Sequence, residues 1–169
     1  MPVNFAKILL LAAVLPLAGC GPFWVDPYIS VSQSQLNWIE IHYYNTNRNP
    51  VKRVAVYLNG MGYVKVAKGA SDRVSNDFAK ITDDANWEDL KTQTKMTDPK
   101  HAQDIFQALV NEGLLDREKW GKKSKKSEFK RFIAVKTNIS NYTYSEPDNI
   151  FEVNPDLAEL LLDVVREFE

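Results

Sequence analysis

The sequence predicts an α+β fold: an antiparallel sheet of four or five strands carrying two amphipathic helices on one face. Three observations predict it. Apolar residues alternate with period two in four stretches, and two other stretches carry apolar residues at i, i+3, i+4, i+7 behind an Asp-Pro or Asn-Pro start. Strands are also followed by helices without the strict alternation of a parallel α/β sheet. The chain has 169 residues, 44% of them hydrophobic and 25% charged, a balance far from disordered or collagen-like composition and suited to one globular domain.

Taken in order, residues 38–44 put Ile39, Ile41 and Tyr43 on one face of a strand and Trp38, Glu40, His42 and Tyr44 on the other. Residues 45–50, closing on a proline, interrupt it. Val54, Val56 and Leu58 then alternate with Arg53, Ala55 and Tyr57, and beyond Asn59-Gly60-Met61-Gly62 the alternation resumes at Val64 and Val66, which makes a hairpin. Parity sets its register. A two-residue Asn59-Gly60 loop would place Val56 opposite Tyr63 and mix the two faces, so the loop must be odd, three residues closing on Gly60 or Gly62 in the left-handed conformation. Residues 73–81, with Val74 and Phe78, supply a further candidate strand.

Asp98-Pro99 starts a helix, Asp capping and Pro at the first helical position, and Ala102, Ile105, Phe106, Leu109 and Val110 form its stripe until Gly113. Residues 132–139 read as a strand with Ile133, Val135 and Ile139 inward. Asn154-Pro155 opens the second helix, where Leu157, Leu160, Leu161, Val164, Val165 and Phe168 face in while Asp156, Glu159, Asp163 and Glu167 face out.

The N-terminus carries an address. Residues 1–7 hold one Lys and no acid, and residues 8–17 form a ten-residue apolar run. In helix such a run spans about 15 Å, half of a hydrocarbon core of about 30 Å, so it reads as a signal peptide and not as a permanent span. Its end, Leu17-Ala18-Gly19-Cys20, resembles the lipobox of bacterial lipoprotein precursors, over the first twenty residues only. The resemblance implies that Leu17, Ala18 and Gly19 admit the signal peptidase and that the Cys20 sulfur takes a diacylglyceryl thioether. Cleavage would fall before Cys20, and the freed amine would be acylated, typically with palmitate. Gly21, in place of an Asp, implies the outer membrane with the domain facing the periplasm in a Gram-negative cell, or the outside of the plasma membrane in a Gram-positive one. At about 0.8 kcal/mol per buried CH₂, two or three acyl chains hold a protein to a bilayer almost permanently.

The expected organisation is therefore a signal peptide at 1–19, the lipidated Cys20 with a short tether at 20–28, and one α+β domain at 29–169. Its stretch from Gly21 to Pro27 contains two Pro and reaches at most roughly 25 Å. Phe23 and Trp24 within it suit either the headgroup region or the domain surface. Removing the first 19 residues changes the net charge from −1 to −2 and leaves no global attraction to nucleic acid.

Candidate chemistry is sparse. One Cys forms no internal disulfide, and with two His it leaves little material for a zinc site. Charge is segregated, however: residues 117–136 hold nine basic and two acidic side chains, and residues 146–169 hold one basic and eight acidic. Within the basic block Lys122, Lys123, Lys125, Lys126, Lys130 and Arg131 form a candidate patch for an envelope protein or an anionic envelope polymer. The competing reading is a solvated loop screened by the acidic helix. The acidic knot Asp83, Asp84, Glu88 and Asp89 fails the calcium-loop spacing and reads as a charged helix entry with Trp87 and Leu90 turned to the core.

His42, on a strand beside Glu40, and His101, in the first turn of a helix, are each candidate general bases, but neither sits in a catalytic motif. The segment Asn138 to Thr143 contains two glycosylation-type triplets, which a bacterial address makes irrelevant, so it reads as a polar loop. Tyr142 and Tyr144 there, with Tyr43 and Tyr44, are candidate binding aromatics. The expected function is a lipid-anchored, non-catalytic binding or protein-interaction module with no cofactor, metal or catalytic residue. The alternatives are a small periplasmic hydrolase using His42 or His101, and a structural spacer.

Overall fold

β1 (Trp38–Asn45) is the strand around which the others are arranged, and in the computed structural model it lies between β2 (Val51–Asn59) and β5 (Arg131–Ile139). The structure describes residues 29–45, 51–71, 90–116, 131–148 and 150–169. Beyond β2 lie β3 (Tyr63–Ser71) and β4 (Lys91–Met96), and beyond β5 lies β6 (Tyr142–Asp148). The described residues thus form a six-stranded sheet of order β4-β3-β2-β1-β5-β6, antiparallel at every pairing. Helix α1 (Pro99–Asn111) carries the chain from the β4 edge back over the sheet, and after β6 a short turn of helix, α2 (Ile150–Val153), leads into α3 (Pro155–Phe168).

The inward row of each central strand follows from parity. Ile39 and Ile41 of β1 stand opposite Leu58 and Val56 of β2, which stand opposite Val64 and Val66 of β3. On the other side Ile41 meets Val135 and Tyr43 meets Ile133 of β5. This surface packs against Ala102, Ile105, Phe106 and Leu109 of α1 and against Leu157, Leu161, Val164, Val165 and Phe168 of α3 in one core. Both helices therefore lie on one face, as an α+β arrangement requires. In α3 Leu162 is buried and Leu160 only half-buried, because Ala158 and Leu162 widen the stripe beyond a single row.

Helix ends are built as their sequences dictate. The Asp98 carboxylate accepts from Lys100 N at 2.8 Å, and the Asn154 side chain accepts from Leu157 N at 3.2 Å. Gly113, at φ 96°, closes α1: its N–H donates to Val110 O and Leu114 N–H to Leu109 O, a Schellman pair that leaves Leu114 buried.

Two strands lie beyond those that periodicity predicts, so six stand where four or five were expected. β4 reads Lys-Thr-Gln-Thr-Lys-Met with every residue exposed, and an edge strand with no apolar alternation emits no period-two signal. The segment read as a polar loop is instead the end of β5, a two-residue turn and the start of β6, so Tyr142 and Tyr144 are strand residues. Ser140 and Asn141, at φ 52° and 68°, form the primed turn that joins such strands tightly, and Ser140 N–H donates to Asn37 Oδ1 at 2.8 Å. Leu90 does not enter a helix. It precedes β4 and packs with Ala55, Ala67 and Tyr57 on the face opposite the helices, against Gly69. The candidate strand at 73–81 and the acidic knot lie outside the described residues.

The β2–β3 loop is the predicted odd one, Gly60-Met61-Gly62, with Gly62 at φ 80° and its N–H donating to Asn59 O at 2.9 Å. A Cβ at Gly62 would overlap the carbonyl oxygen of Thr97 as well as force a side chain into the left-handed region. Gly62→Ala is therefore expected to lower stability by about 2 kcal/mol or more, read from the chemical-denaturation midpoint. An unchanged midpoint would show that this loop geometry is wrong.

Candidate functional site

The face of β1 that turns away from the helices carries Glu40, His42 and Tyr44, and all three are buried. Small residues make room for them. Ala55 and Ala134 stand directly across from His42 on the two neighbouring strands, and Gly69 stands across from Arg53. Arg53, itself buried, reaches from β2, so that Nη2 lies 2.9 Å from His42 Nδ1, while Glu40 Oε1 lies 2.5 Å from His42 Nε2. The Arg53 guanidinium also lies 5.4 Å from the Tyr44 ring centroid. Sequence parity had placed Glu40, His42 and Tyr44 on one face; Arg53 joins them only through the register.

The proton arrangement follows from what each atom can do. A guanidinium only donates and an ionised carboxylate only accepts, so the imidazole between them must accept at Nδ1 and donate from Nε2. That is one neutral tautomer. Burial, the largest influence, lowers the His42 pKa from 6.5, and Arg53 and Lys136 push the same way against the hydrogen bond and charge of Glu40. Protonation would turn a second N–H onto Arg53. Burial likewise raises Tyr44 to about 12, so its hydroxyl stays protonated. Burial is also the main cause of the upward shift at Tyr57, with the Glu40 charge second.

His42 has 0% exposure and both ring nitrogens are engaged, which leaves no atom to take a proton from a bound molecule. His101 stands elsewhere, at the start of α1, where Nε2 lies 2.6 Å from Glu167 Oε1 of α3 across an exposed interhelical gap. The two histidines are not brought together. Among the described residues no group of three or more His, Cys, Asp or Glu side chains could hold a metal ion, and no helix is long and apolar enough to cross a membrane.

Of the predicted basic patch only Arg131 is described, at the start of β5, with its guanidinium 4.2 Å from the Phe151 ring centroid. Lys122, Lys123, Lys125, Lys126 and Lys130 lie outside the described residues, as do Leu17, Ala18, Gly19, Cys20, Phe23 and Trp24.

A second feature was missed by the sequence reading. At the end of the sheet where β1 begins, three chain segments meet: the turn at 34–37, the β2–β3 loop, and the exit from β4. Gly60 N–H donates to Asn37 O at 2.7 Å and Thr97 N–H to Gly62 O at 2.8 Å, and Asn59 Oδ1 accepts from Met61 N and Tyr63 N at 3.0 Å each. A Cβ at Gly60 would overlap Ser34 O, so the loop lies pressed against the turn. From this clamped tip project Leu36 (67% exposed), Met61 (47%), Tyr63 (38%) and Met96 (67%). Tyr63 and Met96 are register partners, and Tyr63 continues into a ladder in which Tyr57 meets it edge-on at 6.2 Å and stacks on Trp38 at 6.1 Å. The available signal was an apolar residue at a hairpin apex between two glycines.

No protein-family model matches this chain, and no curated protein matches it.

The network makes stability depend on pH in a known direction. As pH falls through 6.5 the unfolded chain protonates His42 while the folded chain resists, so the unfolded state binds the extra proton. Stability should be independent of His42 above about pH 7.5 and should decline from about pH 6.5 downward. The check is the denaturation midpoint of wild type and His42→Gln across about pH 5.5–8. The variant should lose the His42 part of the slope whatever its absolute stability; equal slopes would show that His42 titrates freely.

Proposed function

We propose that the chain is a bacterial lipoprotein, held to the cell envelope by lipid on Cys20, whose α+β domain binds a partner and catalyses no reaction. The observation that carries the reading is the position of the only cysteine, directly after Leu17-Ala18-Gly19 at the end of an apolar run. On this reading the signal peptide ends at Gly19, and Gly21 directs the mature protein to the outer membrane, facing the periplasm, in a Gram-negative cell. Support for binding over catalysis comes from the histidines. His42 is sealed between Glu40 and Arg53, and the exposed His101 is engaged by the Glu167 carboxylate. The lysine cluster from Lys122 to Arg131 is the candidate surface for an envelope protein or an anionic envelope polymer, whose charge it would neutralise.

Two measurements test this. Cys20→Ala should abolish incorporation of labelled fatty acid and leave an uncleaved or soluble protein; labelling at wild-type level would refute the anchor. A photocrosslinker at position 123 of the lipidated protein should give a discrete protein or polymer adduct in cells, and none beyond background would remove the lysine cluster as the binding surface.

A further inference from the structure

We propose that the clamped tip formed by Leu36, Met61, Tyr63 and Met96 seats on the surface of the bilayer that holds the chain, with the boundary between headgroups and acyl chains as its ligand. The inference rests on the lipid anchor at Cys20 and adds the orientation of the domain upon it.

The tip has the chemistry of an interfacial contact. Its outermost side chains, Leu36, Met61 and Met96, are unbranched at Cβ and flexible, suited to entering a disordered acyl boundary. Behind them the Trp38–Tyr57–Tyr63 ladder offers amphipathic rings, the residue type that settles at headgroup level. The charged neighbours do not oppose it. Lys65 lies on β3 and Lys95 on β4, and the Asp98 carboxylate is occupied with Lys100 N at the start of α1. The Lys95 ammonium donates to Phe168 O at 3.0 Å.

The tip is also prepared in advance. Large apolar side chains on a free surface normally lie scattered, and here they stand on three segments tied by backbone hydrogen bonds and close glycine contacts. Little conformational freedom is left to lose on contact.

The chain between Cys20 and Ile29 keeps the domain close to the bilayer, and the character of each surface within reach then decides which one meets it. Eight residues separate Cys20 from Ile29, nine Cα-to-Cα steps with a reach of about 30 Å, and a domain of this size has a radius of gyration of about 14 Å. Ile29 O accepts from Gln107 Nε2 and Val31 O from Gln103 Nε2, so the chain comes down the side of α1 and reaches the tip at Leu36. That reach leaves the α1 flank, the tip and the end at Val153 all accessible, since Ile29 lies at Gln107 and the Asn154 side chain donates to Glu112 O further along the same helix. The flank presents Lys100, His101, Asp104 and Asn111, all exposed and polar, whereas the tip presents the apolar cluster. At the opposite end of the sheet Val153 is the large exposed apolar residue among those described.

The test uses the full lipidated protein in vesicles of phosphatidylethanolamine and phosphatidylglycerol. With Cys20 acylated, Met61→Cys supplies one free thiol for an environment-sensitive nitrobenzoxadiazole label, and Val153→Cys supplies the control at the far end. The mass of the N-terminal peptide reports lipid on Cys20 independently. A blue-shifted label at 61, quenched by lipids carrying a nitroxide near the headgroup, with no quenching at 153, is the expected result. Adding Met96→Asp, an exposed substitution, should abolish the quenching at 61 while the lipid and the circular dichroism spectrum are retained. Equal and weak quenching at both positions in protein proved to carry the lipid would overturn the seating alone. Protection of the label from aqueous iodide without quenching by lipid would place a protein or a second copy on the tip and would also overturn it. An unmodified Cys20 would overturn the anchor, and the seating with it.

Discussion

β1 is buried on both faces, and most of the architecture answers to that constraint. One face needs apolar cover, which α1 and α3 provide over Ile39 and Ile41. The other face carries a carboxylate and an imidazole, and their burial is tolerable only if each finds a partner, since an unpaired buried charge costs several kcal/mol. Neutral histidine is suited to the middle position because its two ring nitrogens differ, one donating to Glu40 and the other accepting from Arg53. A lysine there would only donate.

The same network makes the register of the sheet costly to change. A slip of one residue exchanges the two faces of a strand, which would send Glu40 and His42 against Phe106 and Leu161 and bring Ile39 and Ile41 to the opposite side. Arg53 reaches His42 only because His42 pairs with Ala55 and Tyr44 with Arg53 itself. The small residues Ala55, Ala134 and Gly69 belong to this arrangement, since a larger side chain at any of them would take the volume that the buried polar groups occupy. The net gain in stability from such a network is small. Its effect on register is larger, because a one-residue slip would turn Glu40 and His42 into the apolar core away from Arg53.

Much of this was legible in the residues, and the remainder was hidden for identifiable reasons. The caps at Asp98 and Asn154, the glycine exit at Gly113 and the odd loop at Gly60–Gly62 are local, so sequence parity and capping chemistry reach them. The strands β1, β2, β3 and β5 carry apolar rows and declare themselves. β4 does not, because an edge strand needs only one neighbour and no buried side chain. The association of Arg53 with His42 was invisible for another reason: 11 positions separate them, and only the hairpin register brings them together. The tip is a property of three segments, so none of its residues is unusual in isolation. Leu36 and Met96 become a patch only when Gly60 and Gly62 allow the loop to lie between Ser34 and Thr97.

Arg131, the described residue of the basic patch, and the tip lie at opposite ends of the sheet, and the distance between them decides what each can meet. β5 begins at Arg131 opposite Asn45, whereas β1 begins at Trp38, where the tip is. Eight residues of strand span about 26 Å, while fixed charges are screened over about 8 Å at physiological salt. With the tip on the bilayer, Arg131 stands several screening lengths above the headgroups and gains nothing from their charge. The tip contact, for its part, need not be strong. The proposed lipid on Cys20 would by itself confine the domain to the membrane surface, so a weak apolar contact would suffice to choose which end points down. An anchor alone would leave the domain tumbling, and a tip alone would not retain it. Together they would present one end of the sheet to the bilayer and the other to the compartment beyond.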